Sequence, residues 1–392
     1  MRIAVIELDY HSENLISFCK AFQDAQEEIA VFTTLKVYQD VISEGNFSSF
    51  RWHLMQENGQ TTQKFIQEHL SIINQHDILF FATVESQYYA YSSCEFHPIT
   101  VLRIHMINSF FYRWQNISPP KNLRDFFDFL HYIFKNLIKE RESHHLKIFL
   151  KRMDYLTLTH EQIDFCHRTK LLSEGYQVLP VIPLAVFDKK YYKQEITHTL
   201  YLTIPGNVDT HRRDYKMVIG IFEKMIPHLK RPVQLTILGR PIGIRGRNIL
   251  KRFSQMKTKY FILKSYSAEV PQYEFNQIML LTDVILGPLQ LESQYKIFNE
   301  QYGSTKISGN YTDIIRYGKP SILPASVPVE KVLLPLVDLY SSPEELQTIL
   351  LFYLQGNRLT IRKQQMFTAL ENFTSEKVKK QIVDIFSSLI RK

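Results

Sequence analysis

Dinucleotide-binding chains carry G-x-G, and this sequence of 392 residues contains none. It has no G-x-x-x-x-G-K-[ST], which excludes a phosphate-loop NTPase, and no G-x-S-x-G, which removes the hydrolase elbow. Neither C-x-x-C nor H-E-x-x-H occurs, and no clustered His/carboxylate spacing supports a metal site. D-x-D is missing too, so a sugar-nucleotide transferase that holds its metal through that motif is not expected. The three cysteines, Cys19, Cys94 and Cys166, stand far apart; they make no disulfide framework and fit a reducing cytoplasm. The strongest apolar run, ILFFATV (78–84), is far short of the ~20 residues that span a bilayer. The opening MRIAVIELDYHSEN reads as a buried strand and its exit loop, so no secretory leader is expected.

What is present is the composition of a folded protein, 45% hydrophobic and 22% charged. At this length two domains are expected rather than one core. The net charge of +8 is unevenly spread: residues 1–190 hold 19 Lys/Arg against 22 Asp/Glu, and residues 191–392 hold 28 against 17. A basic excess confined to one half points to an anion there, phosphate or a membrane surface. It is densest in RPIGIRGRNILKRFSQMKTKYFILK (240–264), with eight basic residues and no acidic one. An ordinary solvated face is the competing explanation. Phe253, Tyr260 and Phe261 interleave with that run, but no nucleic-acid-binding module accompanies it and no nucleic-acid partner is expected.

In the first half RIAVIEL (2–8), EIAVFTT (28–34), FRWHLMQ (50–56), DILFFATV (77–84) and ITVLRIHMI (99–107) are strand-like. ENLISFCKAFQDA and TTQKFIQEHLSIINQ carry apolar residues at helical spacing between them. A long helix is expected from about Asn122 to Lys151, then DYLTLT (154–159), a helix, and a strand in YQVLPVIPLAVF (176–187). The second half repeats the theme with TLYLTIPG (199–206), VQLTILG (233–239), KYFILK (259–264), DVILGPL (283–289) and PSILPA (320–325). SPEELQTILLFYLQ and an amphipathic C-terminal helix close it. The alternation predicts an α/β protein of two doubly wound Rossmann-like domains, 1–190 and 191–392, hinged near 187–198.

Open parallel sheets bind ligands beyond the C-terminal ends of their strands. In the second half those ends carry PGNVDTHRRDY (205–215), GRPIG (239–243), KSYSAEV (264–270), GPLQ (287–290) and YGSTKISGNYTDIIRYGKPSILP (302–324). Arg212 and Arg213 stand just ahead of a helix, with Lys216 in its first turn, where free N–H groups add positive charge. Two guanidiniums there suit a diphosphate. Pairing with Asp209, Asp214 or Glu223 is the competing reading.

Taken in order, YLTIPGNVDTHRRDY, QLTILGRP, SYSAEV, LTDVILGP and YGSTKISGNYTDIIRYGKPSILP resemble the C-terminal half of GT-B glycosyltransferases, especially the large family-4-like group. ITVLRIHMINS is similar to that group's strand ending in histidine, and QVLPVIPLAVF to its v-x-v-I-P strand. The segment DYLTLTHEQIDF is similar to its d-x-v-i-x-x-S stretch. The resemblance covers most of the chain and rests on the order of the motifs. It implies the GT-B fold, with the acceptor on the first domain, the nucleotide-sugar donor on the second, and a cleft between them. The C-terminal helix, about 375–392, packs back across the domains in such proteins. The implied activity moves a sugar from a nucleotide diphosphate to a saccharide or lipid-linked acceptor in surface polysaccharide or glycan synthesis. A retaining hexosyltransferase is expected before an inverting one, with no cofactor and no metal.

By that resemblance Arg212, Arg213, Gly303, Ser304, Thr305 and Lys306 would receive the donor diphosphate, and Asp313, five residues before Gly318, would hold the ribose. Gly239, Arg240, Ser265 and Tyr266 would surround the nucleotide. His105 would reach the donor sugar from its strand end; a satisfied structural histidine is the competing reading. LDYHSEN (8–14) departs from the group's Gly-Gly pair and offers Asp9, His11 and Glu13 for the acceptor or as a base. The group's two acidic residues stand eight apart; here Asp313 takes the second place, and Glu300 is a loose match to the first. That departure motivates an alternative, a glycosyltransferase-like binding or scaffold protein without turnover. Peripheral membrane contact through the basic run or the KVKKQIVDIFSSLIRK helix is a further expectation.

Overall fold

Strands buried on both faces of a parallel sheet read as unbroken apolar runs, and the first run of the chain is buried at every residue but Arg2. The computed structural model describes residues 1–391 except 10, 25, 57–58, 112–113, 121–122, 172–174, 184, 193–196, 257 and 356. The first sheet is built from β1 (Arg2–Glu7), β2 (Glu28–Thr34), β3 (Arg51–Met55), β4 (Ile78–Thr83), β5 (Ile99–Arg103) and β6 (Tyr155–Thr157). Its spatial order is β3-β2-β1-β4-β5-β6, all parallel. The second sheet takes β7 (Leu200–Pro205), β8 (Val233–Leu238), β9 (Phe261–Ser265), β10 (Val284–Leu286), β13 (Ser321–Pro324) and β14 (Val337–Tyr340). Its order, β14-β13-β10-β7-β8-β9, is the same winding seen from the other edge. Between β10 and β13 a small antiparallel hairpin intervenes, β11 (Glu292–Tyr295) and β12 (Phe298–Gln301). Each large sheet reverses its winding beside its first strand, where a crevice opens at the strand ends. Two such domains facing one another are the GT-B fold.

Two expectations change. The strand in 176–187 does not form: Val178 makes one bridge to Leu156, and among the described residues no ladder follows it. Pro180 and Pro183 remove the donors a ladder would need. The helix from Asn122 to Lys151 is broken into Leu123–Tyr132, a wide π-helical stretch Ile133–Lys139, and Glu142–Lys151, with Arg141 left-handed at φ 49°. Breaking it lets Tyr132 turn toward Phe298 while Phe149 enters the first core. Asn122 itself, Leu184 and residues 193–196 of the expected hinge lie outside the described residues.

The C-terminal helix, Ser375–Ile390, crosses to the first sheet and packs Val378, Ile382, Phe386 and Leu389 into its core. Phe386 meets Phe80 of β4 at 6.0 Å between ring centroids. The apolar face of that helix is therefore committed to protein and is not open to a bilayer. Among the described residues no helix is long and apolar enough to cross a membrane.

A buried polar knot joins the two domains. Glu44, fully buried, receives Lys20 Nζ at 3.1 Å and the Tyr191 hydroxyl at 2.9 Å on Oε2. Arg316 and Asn276 of the second domain bind its Oε1. Lys20 also reaches Asp188 at 2.5 Å. Burial raises a carboxyl, but here Arg316 and Lys20 outweigh it and hold Glu44 at about 2.

Candidate functional site

The two domains turn their strand ends toward a shared cleft of about 430 Å³. From the first domain it is lined by His11, Glu13 and Asn14 after β1, Glu85 after β4, and His105 after β5. The loops place them because each strand ends in polar residues that stop the apolar run. From the second domain come Pro205, Gly206 and Asn207 after β7, then Arg212, Arg213, and the segment from Lys306 through Asn310. Thr312, Asp313, Arg316 and Tyr317 follow on the helix Gly309–Tyr317, and Tyr295 projects from the hairpin.

His11 and His105 stack nearly parallel, 5.9 Å apart, and end in opposite states. Desolvation disfavours charge on His11, but its Nδ1 donates to Glu13 at 3.2 Å and its Nε2 to Glu85 at 3.1 Å, and these raise its pKa well above the usual value. His105 is desolvated without a carboxylate partner and sits beside His11 and Arg103, which together hold it down to about 4. Its Nε2–H donates to the Ala82 carbonyl at 3.0 Å. The first histidine is an imidazolium at neutral pH and the second a neutral ring. Asn14 donates to Thr83 Oγ1 at 3.2 Å and lies 3.4 Å from His105, bracing it.

Across the cleft, donors accumulate without acceptors. Among the described residues Lys306 Nζ, Arg213 Nε, Asn310 Nδ2 and Arg316 Nε are buried and have no hydrogen-bond partner, and all four residues line the cleft. Buried polar groups are nearly always paired, so a convergence of bare donors asks for an acceptor-rich ligand. Desolvation and the neighbouring Arg212 lower Lys306 to about 8, and Tyr302 and Tyr295 stand 5.3 Å and 5.8 Å beneath its ammonium. Asp313 faces the same space; desolvation pushes it up to about 7 against the pull of Arg316. Among the described residues no group of three or more His, Cys, Asp or Glu could hold a metal ion.

The residues singled out from sequence divide. His11, His105, Arg212, Arg213, Lys306 and Asp313 meet in the cleft. Asp9 does not line it: its carboxylate accepts the Glu85 N–H at 2.8 Å and the Ser86 hydroxyl at 2.9 Å, bracing the loop after β4. Gly303, Ser304 and Thr305 also stay out of the cleft lining, because their turn carries the contact between domains. The Ile107 N–H donates to the Thr305 carbonyl at 2.7 Å, and Ile307 N–H to the His105 carbonyl at 3.1 Å. Gly303, at φ 81°, could not carry a Cβ there, since it would strike the Pro328 carbonyl. The helix begins only at Gly309, capped by the Ser308 hydroxyl at 3.3 Å from Asn310 N, so its N-terminus reaches the cleft several residues later than expected.

Glu300 likewise turns away. It is fully buried and accepts the backbone N–H of Asn108 at 3.3 Å and Ser109 at 2.8 Å, anchoring a turn of the first domain. Gly239 backs the site without lining it: a Cβ on it would meet Gly206 and, at 2.7 Å, the Asn207 nitrogen. Arg240 and Ser265 are exposed and Tyr266 half-buried, all outside the cleft lining. Arg213 answers neither sequence reading fully. Its guanidinium holds the carbonyls of Asn207 at 3.1 Å and Pro205 at 2.5 Å, leaving Nε over, and Glu223 pairs with Arg252 instead. Asp214 caps its helix through Met217 N at 3.0 Å. Glu85, Asn310, Arg316 and Tyr295 are cleft residues the sequence did not single out. Glu85 had a signal, an acid directly after a strand, whereas Tyr295 sits on a strand of only four residues, ESQY.

Among solved structures, glycosyltransferases of GT-B type share this fold. No family model and no curated protein matches the sequence. Solved structures do match: HepE from Anabaena in complex with UDP has a TM-score of 0.58 at 12% identity, covering 99% of this chain and 100% of that one. A glycosyltransferase from Rickettsia africae matches at TM-score 0.59 and 12% identity over 100% and 98%. The E. coli trehalose-6-phosphate structure bound with UDP-2-fluoro glucose matches at 0.60 and 10% over 100% and 99%.

Proposed function

We propose that this protein is a glycosyltransferase that takes a sugar from a nucleotide diphosphate, UDP the first candidate, and passes it to a saccharide or lipid-linked acceptor. One observation carries the reading: Lys306, Arg213, Asn310 and Arg316 line one cleft, and each keeps a buried donor without a partner among the described residues. A diphosphate has the oxygens to satisfy them. Neighbours of the same fold hold UDP or a UDP-sugar, which supports the choice of nucleotide.

Breaking the sugar–phosphate bond builds negative charge on the departing diphosphate. Lys306, Arg212 and the first turn of the helix Gly309–Tyr317 stand ready for that charge before it forms. In this reading they do the neutralising that a metal does elsewhere. Asp313 accepts from the ribose hydroxyls, and neutral His105 bonds a sugar hydroxyl without repelling the forming oxocarbenium centre. His11 is already protonated between Glu13 and Glu85, so it orients those carboxylates and takes no proton from the acceptor. In this reading the acceptor proton leaves on the departing phosphate, from the same face of the sugar, and transfer retains configuration.

Calorimetric titration with UDP and GDP, repeated on Lys306→Ala and Asp313→Ala, tests this. Micromolar binding of one nucleotide, weakened in both variants, is the expected outcome. Folded protein that binds neither nucleotide would sink it, whereas tight binding without donor hydrolysis or transfer would favour the binding-protein alternative.

A further inference from the structure

A second cavity, of about 490 Å³, opens where the two domains, the stretch 180–183 and the C-terminal helix meet. That is the size of a small-molecule site. Much of its wall is apolar, with Val181, Ile315, Leu333, Phe373 and Ile385. Ile315 reaches it from the helix Gly309–Tyr317, whose Thr312, Asp313 and Arg316 line the cleft, so one helix stands between the two spaces.

Set into that wall is Glu330, only 8% exposed, directly before the turn Lys331–Leu336. It neighbours Glu161, in the first turn of the helix His160–Arg168 of the other domain. Burial raises both carboxyls, and Glu330 raises Glu161 further; the Glu161 carboxyl and the His160 N–H hold Glu330 back. As carboxylates the two offer acceptors alone, and Glu330 Oε1 is buried with no hydrogen-bond partner among the described residues. One proton held between them is the internal remedy.

No cation supplies another. None of the described lining residues is Lys or Arg, and Asp384 of the C-terminal helix adds a further carboxylate. Lys377 Nζ donates to Asn372 Oδ1 on the wall, at 3.4 Å, from outside the lining. His160, exposed on the same wall, lowers Glu161 by less than burial and Glu330 raise it. A protonated amine brings what the pair lacks, a positive charge and up to three donors. The apolar wall asks for hydrocarbon beside that nitrogen. A metal ion fits less well, because among the described residues no group of three or more His, Cys, Asp or Glu converges.

We propose that this junction cavity binds a small organic ammonium ion, its hydrocarbon against Ile315, Leu333 and Phe373 and its nitrogen at Glu330, paired with Glu161. The site is separate from the cleft and does not rest on the transfer reading. Its ligand touches both domains and the helix between the two spaces.

The full chain is titrated calorimetrically at neutral pH with three probes. 2-Phenylethylammonium should bind saturably and roughly tenfold or more tighter than 2-phenylethanol, which keeps the ring without the charge. It should exceed methylammonium, the charge without the ring, by a similar factor. Glu330→Gln and Glu161→Gln, shown folded by circular dichroism, should each weaken the ammonium by roughly tenfold and leave 2-phenylethanol unchanged. Saturating UDP should not compete. No binding of 2-phenylethylammonium by the folded parent overturns the proposal, and so does equal affinity for 2-phenylethanol. Undiminished binding in both glutamine variants overturns it too, as does displacement by UDP, which would place the amine in the cleft. The three probes on the parent test the proposal even where a variant does not fold. Absence of UDP binding in the parent would sink the transfer reading and leave this site standing on the probes and variants.

Discussion

In the proposed transfer, Lys306 is the residue on which the cleft's chemistry turns. It is buried, unpaired among the described residues, and held near 8 by desolvation and Arg212. Below that pH it is a cation able to bind phosphate; above it the charge is lost. UDP affinity should therefore fall as pH rises through about 8. Lys306→Arg, whose guanidinium stays charged, should flatten that profile, and Lys306→Ala should cost roughly tenfold or more, the worth of a hydrogen bond to a charged group. Calorimetry across pH reads all three. An unchanged slope in Lys306→Arg would assign the titration to another group. The histidine pair makes the same point differently: His11 and His105 are one residue type in contact, charged and neutral because only one of them meets carboxylates.

Elements differ in how plainly the sequence announces them. β2 begins and ends where EIAVFTT does, since a parallel strand covered on both faces must be apolar throughout. β11 and β12 went unannounced: ESQY and FNEQ are largely polar four-residue strands that pair with each other, and Phe298 of β12 also bridges Ile117. The C-terminal helix was legible as amphipathic, and its return across the domains was expected from the resemblance alone. Its apolar face lies in the core of the first sheet, with Phe386 fully buried against Phe80. Phe386→Ala should thus destabilise the protein by about 3–5 kcal/mol. Urea denaturation followed by far-UV circular dichroism checks this, and a loss within error of zero would place the helix elsewhere in solution.

At the scale of the whole molecule, Glu44 binds the domains together through Lys20, Arg316, Asn276 and Tyr191. Removing its carboxylate strands two buried cations, so Glu44→Ala should cost roughly 3–5 kcal/mol. The pH dependence has a definite sign. The carboxyl is depressed from 4.5 to about 2, so its contribution is fully present above about 4.5 and is lost as pH falls toward 2. The stability gap between the parent and Glu44→Gln, measured by urea denaturation, should narrow over that interval; a constant gap would refute the ionised knot. Because Arg316 both binds Glu44 and lines the cleft, loosening the knot should also weaken UDP binding.

The sequence by itself determined the local periodicities: apolar runs that had to be parallel strands, amphipathic helices between them, and polar residues at the strand ends. Those are short-range consequences of burial, so the two doubly wound sheets and the cations Arg212 and Lys306 could be read from it. Tertiary structure alone decided which polar residues find partners. Asp9, Glu300 and Thr305 look in sequence like cleft residues, yet they brace loops and hold the domains together. Lys306, Arg213, Asn310 and Arg316 remain with donors unanswered. Whether a buried donor is paired can depend on groups far off in the chain, as Asn108 depends on Glu300, and only the packed fold brings those groups near.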